Sequence, residues 1–290
     1  MIEKMLPSKY FRRSGLPRLA LALPMALPRL RLMTLLTLAV MLAGRSVIAQ
    51  DQRLPFAAGE KLRYNVSWRL LPAGHAEIVL SQDRSVQGAA GRWRVVGKAQ
   101  SVGYVSNIYK VDDEYQSTFR NPPLCSNGMH KVIHEGGRHR DVKLDFDAQR
   151  RVARVEEKNL QSGANGAVVR SEQFPTPACV HDILSALYFV RSRPLTVGQF
   201  IDVPINDGSK TINLRVEVQA EEDIKTELGV MRAVRVEPAV FDGKLFSGKG
   251  RMHVWFSKDA QRVPIQLRAQ IGVGTITATI AAIEREDTTR

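Results

Sequence analysis

Apolar and polar residues alternate with a period of two along most of the chain from Leu62 onward, and this is the signature of β-strands with one covered face. Ile212, Leu214, Val216 and Val218 interleave with Thr211, Asn213, Arg215, Glu217 and Gln219. Near the C-terminus Ile276, Ala278 and Ile280 interleave with Thr275, Thr277 and Thr279. Turn-forming groups punctuate these runs: Pro72-Ala73-Gly74, Asn121-Pro122-Pro123, Glu135-Gly136-Gly137-Arg138, Asn206-Asp207-Gly208 and Asp242-Gly243. Gly and Asn supply positive φ, and Pro presets the first turn residue. Many strands at this spacing predict an all-β protein, a large antiparallel β-barrel or half-barrel.

One segment departs from that period. Asp182 through Arg191 predicts the principal α-helix, with Asp182 as its N-cap and Ile183, Leu187 and Val190 as its packing face. Arg191 suits the C-terminal end and Pro194 stops the helix. Such a helix plugs a barrel end or lies across a sheet.

Composition changes this picture only at the N-terminus. Arg29 and Arg31 precede an apolar run from Leu32 to Ala43, followed by Val47-Ile48-Ala49. A charged segment, a short apolar core and an A-x-A-like ending define a secretory signal. The run is shorter than the roughly 20 apolar residues of a spanning helix. Residues 1–49 are therefore expected to be a signal peptide. Residues 50–290 would then be one antiparallel β domain, or two lobes joined near 175–195. Met25 is an alternative start. Arg12-Arg13 lacks the apolar residues that follow a twin-arginine pair, and Arg45 stands where a lipoprotein would carry its Cys. The expectation is a periplasmic or secreted protein, soluble and not lipid-anchored, with no transmembrane segment after cleavage.

The formal charge of +13 shrinks once that segment is set aside. Residues 1–49 hold eight of the 42 Lys and Arg and one of the 29 acids, leaving 34 against 28, a net of +6. So mild an excess argues against nucleic acid as a partner. Cys125 and Cys179 are the only cysteines, with one possible pairing. Export favours a disulfide over two buried thiols, and neither residue sits in a nucleophile motif.

Candidate chemistry is sparse. His134 and His139 would face each other across a Gly136-Gly137 hairpin, but His130 lies about 13 Å along the strand, too far to complete a metal site. These histidines read as solvent-facing, and no metal or cofactor is expected. His181 and Ser185 are spaced i, i+4, with Asp182 better placed as a cap than as the orienting acid of a hydrolase. In Asp112-Asp113-Glu114 the first and third acids share a strand face, and a solvated strand end is the expected setting. Trp68, Trp93 and Trp255 read as core or rim packing ahead of ligand lining.

The residues also resemble a known family. Its central motif is matched by Asp182-Ile183-Leu184-Ser185-Ala186-Leu187-Tyr188 with Arg191 and Gly198. Phe56, Gly59-Glu60, Leu62, Tyr64 and Pro72-Ala73-Gly74 match its N-terminal part. Gly229, Val236, Pro238, Trp255, Ser257, Asp259, Pro264 and Gly274-Thr275-Ile276 match its C-terminal half. The chain is similar, from about Pro55 to Ile283, to the exported bacterial group known as domain of unknown function 3108. That resemblance implies a large antiparallel barrel or half-barrel and brings no catalytic residues. The leading expectation is a non-enzymatic envelope protein that binds or carries a lipid, acyl or glycan ligand in a curved sheet. A structural or assembly partner of another envelope protein is the first alternative, and a hydrolase of envelope polymers the second.

Overall fold

A computed structural model of the protein describes residues 54–83, 91–162, 166–241 and 249–285. The proposed signal peptide, and the Asp242-Gly243 turn, lie outside the described residues. Among the described residues eight strands precede the principal helix: β1 (Glu60–Trp68), β2 (Leu71–Gln82), β3 (Arg92–Ser101), β4 (Asp112–Arg120), β5 (Cys125–Glu135), β6 (Arg138–Asp147), β7 (Val152–Asn159) and β8 (Ala167–Pro175). A short helix, α1 (Gly103–Ile108), joins β3 to β4. After α2 (Ile183–Ser192) come β9 (Phe200–Asn206), β10 (Thr211–Thr226), β11 (Gly229–Pro238), β12 (Arg251–Ser257), β13 (Pro264–Ile271) and β14 (Gly274–Glu284).

All fourteen strands belong to one antiparallel sheet, and β14 pairs back onto β1. Its two edges are β8 and β9, so the sheet is an open half-barrel. The segment between β8 and α2 straps the opening. Ser126 N donates to Val180 O at 2.9 Å, His181 N to Pro204 O at 2.8 Å and Asn206 N to His181 O at 2.8 Å. Backbone groups that a sheet edge would leave unpaired are thereby satisfied. Cys125 and Cys179 form a disulfide in this region, their Cα atoms 5.2 Å apart, and tie the strap to β5.

Alternation places the apolar set inside. Val203, Ile205, Leu214, Val216, Val234, Val236, Val254 and Phe256 surround Ala186 and Val190 of α2. On its other side Tyr188 packs with Phe56, Leu80, Val95, Phe119 and Leu124. Leu184 also reaches Met129, Val142, Leu144, Ala153 and Val155. The helix thus lies inside the curve and touches the sheet on several sides, which is why it is apolar around most of its circumference. Ile183 departs from the expected packing face: it is 41% exposed, since it opens the first turn beyond the strap. Leu187 is half-buried and Val190 is buried.

The outer face carries charge. Arg63, Glu77, Lys98 and Glu114 stand opposite one another across β1–β4. Lys61 and Glu77 are 2.9 Å apart, Lys98 and Glu114 3.0 Å. Such a ladder is the reverse of the apolar band of a membrane-spanning barrel. No helix among the described residues is long and apolar enough to cross a membrane.

The expected turn at Pro72-Ala73-Gly74 is instead the start of β2, and the chain reverses at Arg69-Leu70, with Arg69 at φ 57°. The glycine serves close approach. A Cβ on Gly74 would lie 2.2 Å from the carbonyl oxygen of Gln100 on β3.

Candidate functional site

Asp182 anchors the helix inside the half-barrel. Its Oδ1 accepts from Leu184 N at 2.9 Å and Ser185 N at 3.0 Å. Oδ2 accepts from the hydroxyls of Ser117 on β4 at 2.6 Å, Ser126 on β5 at 2.5 Å and Ser185 at 3.0 Å. Asp182 N donates to Ser185 Oγ at 3.0 Å, closing a reciprocal capping box. The carboxylate is fully buried and satisfied by five donors, so the cap also pins the helix to two strands. At the other end Arg191 is equally buried. It forms a bidentate pair with Glu60 (2.5 and 2.7 Å) and donates to the carbonyls of Pro55 and Gln261.

Between these two anchors, α2 does not fill the concave face. A cavity of about 200 Å³ remains. The sheet lines it with Tyr64, Ala76, Ile78, Ala99 and Tyr115, and the helix with Leu184 and Leu187. Val254, Leu267 and Ala278 close the far side, and the wall is almost wholly apolar. Small residues make the space. At Gly97, also part of the wall, an added Cβ would lie 3.6 Å from Leu184. Tyr64 keeps its hydroxyl out of the apolar space by donating to Pro264 O at 2.8 Å. Burial holds that phenol well above its ordinary pKa, so it stays neutral. A wider groove of about 530 Å³ runs over β1 and β2 beside Glu284 and Arg285, with mixed polar and apolar walls.

Tyr115 connects the cavity to a carboxyl pair. Its hydroxyl donates to Asp113 Oδ2 at 3.3 Å, while His134 N donates to Asp113 Oδ1 at 2.8 Å. Asp113 is 5% exposed, so the solvated strand end expected for this acid is wrong: the alternation of β4 turns it inward. Its carboxyl partner is Glu135, from the β5–β6 hairpin, and not a neighbour in the acidic run. Burial, and then the charge of Asp113, raise the pKa of Glu135. Glu135 also lies 3.8 Å from Arg138, whose charge opposes that rise.

The other residues singled out by sequence fall apart spatially. His134 and His139 do face each other, Nδ1 to Nδ1 at 2.7 Å, whereas His130 bonds Asp141 at 3.0 Å. Among the described residues no group of three or more His, Cys, Asp or Glu side chains is arranged to hold a metal ion. Ser185 is spent on the cap. His181 is fully buried beside Phe189, with neither ring nitrogen bonded to another described group. Burial, aided by the Arg193 charge, pushes its pKa down to about 4. Trp93 stacks on Phe119 in the core, Trp255 donates to Glu222, and Trp68 sits at the rim with Val273 O. None of the three lines the cavity.

No curated protein matches by sequence. A β-barrel-like protein of domain of unknown function DUF1849 from Brucella abortus is similar at 8% identity, with 81% of this chain and 100% of that one covered and a TM-score of 0.49. The hypothetical protein CT021 from Chlamydia trachomatis is similar at 9% identity, covering 81% and 91%, with a TM-score of 0.35. A Bacteroides fragilis protein with a YmcC-like fold, described as exported, shows 7% identity, 80% and 98% coverage and a TM-score of 0.36. The profile of one family, protein of unknown function DUF3108, matches residues 63–281, and the chain belongs to that family.

Proposed function

We propose that this protein is an exported, non-enzymatic binding protein of the cell envelope that holds one acyl chain between α2 and the concave sheet. The observation that carries this reading is the apolar cavity of about 200 Å³. It is smaller than the roughly 300–1,000 Å³ of pockets for drug-sized ligands, so a slim chain suits it better than a ring system. A glycan would ask for convergent donors and acceptors, and the wall offers almost none. An acyl chain needs only apolar contact, at about 0.8 kcal/mol per buried CH₂. Export is supported by the charged, apolar and small-residue pattern of Arg29 to Ala49, and by a disulfide suited to an oxidising compartment. In this reading residues 50–290 act as one functional body without a lipid anchor.

The test is a fluorescence titration with cis-parinaric acid, which brightens on entering an apolar site. Saturable binding to the wild-type protein, abolished in Leu187→Trp with an unchanged melting temperature, is the expected result. Equal binding by both proteins would place the ligand elsewhere and overturn the reading.

A further inference from the structure

One end of the half-barrel exposes large apolar side chains that the cavity does not use. Leu70 is 96% exposed and Leu71 50% at the β1–β2 turn. Tyr104 (69%), Ile108 (59%) and Tyr109 (50%) project from α1 and the residue after it, and Val273 (62%) from the β13–β14 turn. These tips are neighbours. Trp68 Nε1 and Arg69 Nη2 both donate to Val273 O, at 3.1 and 3.4 Å. Val102 N, at the start of α1, donates to Ala73 O at 2.9 Å. Gly136 N of the β5–β6 turn donates to Lys110 O at 2.8 Å, and the Tyr109 ring covers Gly136 so closely that a Cβ there would lie 2.9 Å from it.

The charge of this end is one-sided. Arg69 and Lys110 flank the apolar tips. The acids nearby are engaged: Asp113 is buried, Glu135 pairs with Arg138 at 3.8 Å, and Asp112 accepts from Gln100 Nε2 at 3.0 Å. No acid occurs from Arg69 to Pro72 or from Gly103 to Lys110.

We propose that this rim docks on an anionic lipid bilayer. Leu70, Tyr104 and Ile108 enter the headgroup region, while Arg69 and Lys110 meet lipid phosphates. Tyrosines and a tryptophan belong at such a boundary, where an apolar ring and a polar tip are both satisfied. Cations beside them add attraction to a negative surface. The apolar groups sit on separate protruding tips whose backbone groups are already paired. That geometry matches a soft, fluid surface better than the continuous flat face a folded partner would cover. The proposal rests on the rim alone and is independent of the cavity.

The experiment is co-sedimentation of protein purified from the envelope with vesicles of phosphatidylglycerol and phosphatidylcholine, and with phosphatidylcholine alone. Wild-type protein should sediment with the anionic vesicles and be released by salt. The double variant Leu70→Ser/Tyr104→Ser, altered only at exposed positions, should keep its melting temperature and bind more than about tenfold more weakly. Arg69→Gln/Lys110→Gln should flatten the salt dependence. Wild-type protein left in the supernatant, or a Leu70/Tyr104 variant that sediments equally, would overturn the proposal. So would a dimer in sedimentation velocity that this variant dissolves, because the rim would then be covered by a second copy.

Discussion

His181, among the described residues, carries an acid sensitivity that burial imposes. Its pKa falls from the ordinary 6.5 to about 4 because burial penalises the imidazolium. The unfolded chain therefore binds a proton in the window between these values that the folded chain refuses. Stability contributed by the neutral ring is complete above pH 6.5 and is lost as pH falls toward 4, by about 3 kcal/mol in all. Denaturant melts of His181→Phe should show a shallower decline across this window than wild type. An identical decline would mean that other groups set the acid limit. Asp182 is the second critical residue. Asp182→Ala strands two backbone N–H groups and three hydroxyls, at a cost of about 3 kcal/mol or more by denaturant unfolding. Asp182→Asn, which retains one acceptor oxygen, should lose distinctly less. The capping role was legible from Asp182 standing just ahead of the helical run, a local pattern. The hydroxyls of Ser117 and Ser126 were not, since they arrive from strands more than fifty residues earlier.

At the scale of elements, α2 was readable in extent but not in facing. Position along a helix predicts one packing stripe, whereas α2 is enclosed on several sides and leaves Ile183 exposed. Leu187 borders the cavity, so Leu187→Ala removes less contact than in a filled core and should cost about 2 kcal/mol, the low end for such truncations. A cost near 5 kcal/mol would mean that the cavity closes in solution. Tyr188 is fully buried, and its hydroxyl has no hydrogen-bond partner among the described residues. Tyr188→Phe should therefore be neutral or stabilising by about 1 kcal/mol in thermal melts. The Asp113–Glu135 pair shows a different limit. Alternation alone can turn Asp113 inward, but only the register of β4 against β5 brings Glu135 to it.

For the whole molecule, period-two patterning was enough to indicate a large antiparallel sheet, because each strand covers one face. It could not say whether the sheet closes: that depends on the edges β8 and β9, and the strap at Val180-His181 bonds β9 and β5. The cavity was hinted at only by small residues on inward positions, Ala76, Gly97, Ala99 and Ala278, which also occur where strands merely pack closely. The disulfide holds the strap to β5 across a sequence separation of 54. Replacing both cysteines by Ala should cost about 4 kcal/mol from loop-closure entropy, read by denaturant unfolding under non-reducing conditions.

The most direct test of the central claim is native mass spectrometry of the protein purified from its own envelope, beside the cavity-filling variant Ala99→Phe. The wild-type protein should carry the added mass of an acyl-chain ligand, and the variant, folded to the same melting temperature, should fly bare. A wild-type protein at its bare polypeptide mass, or the same adduct on both proteins, would contradict the account.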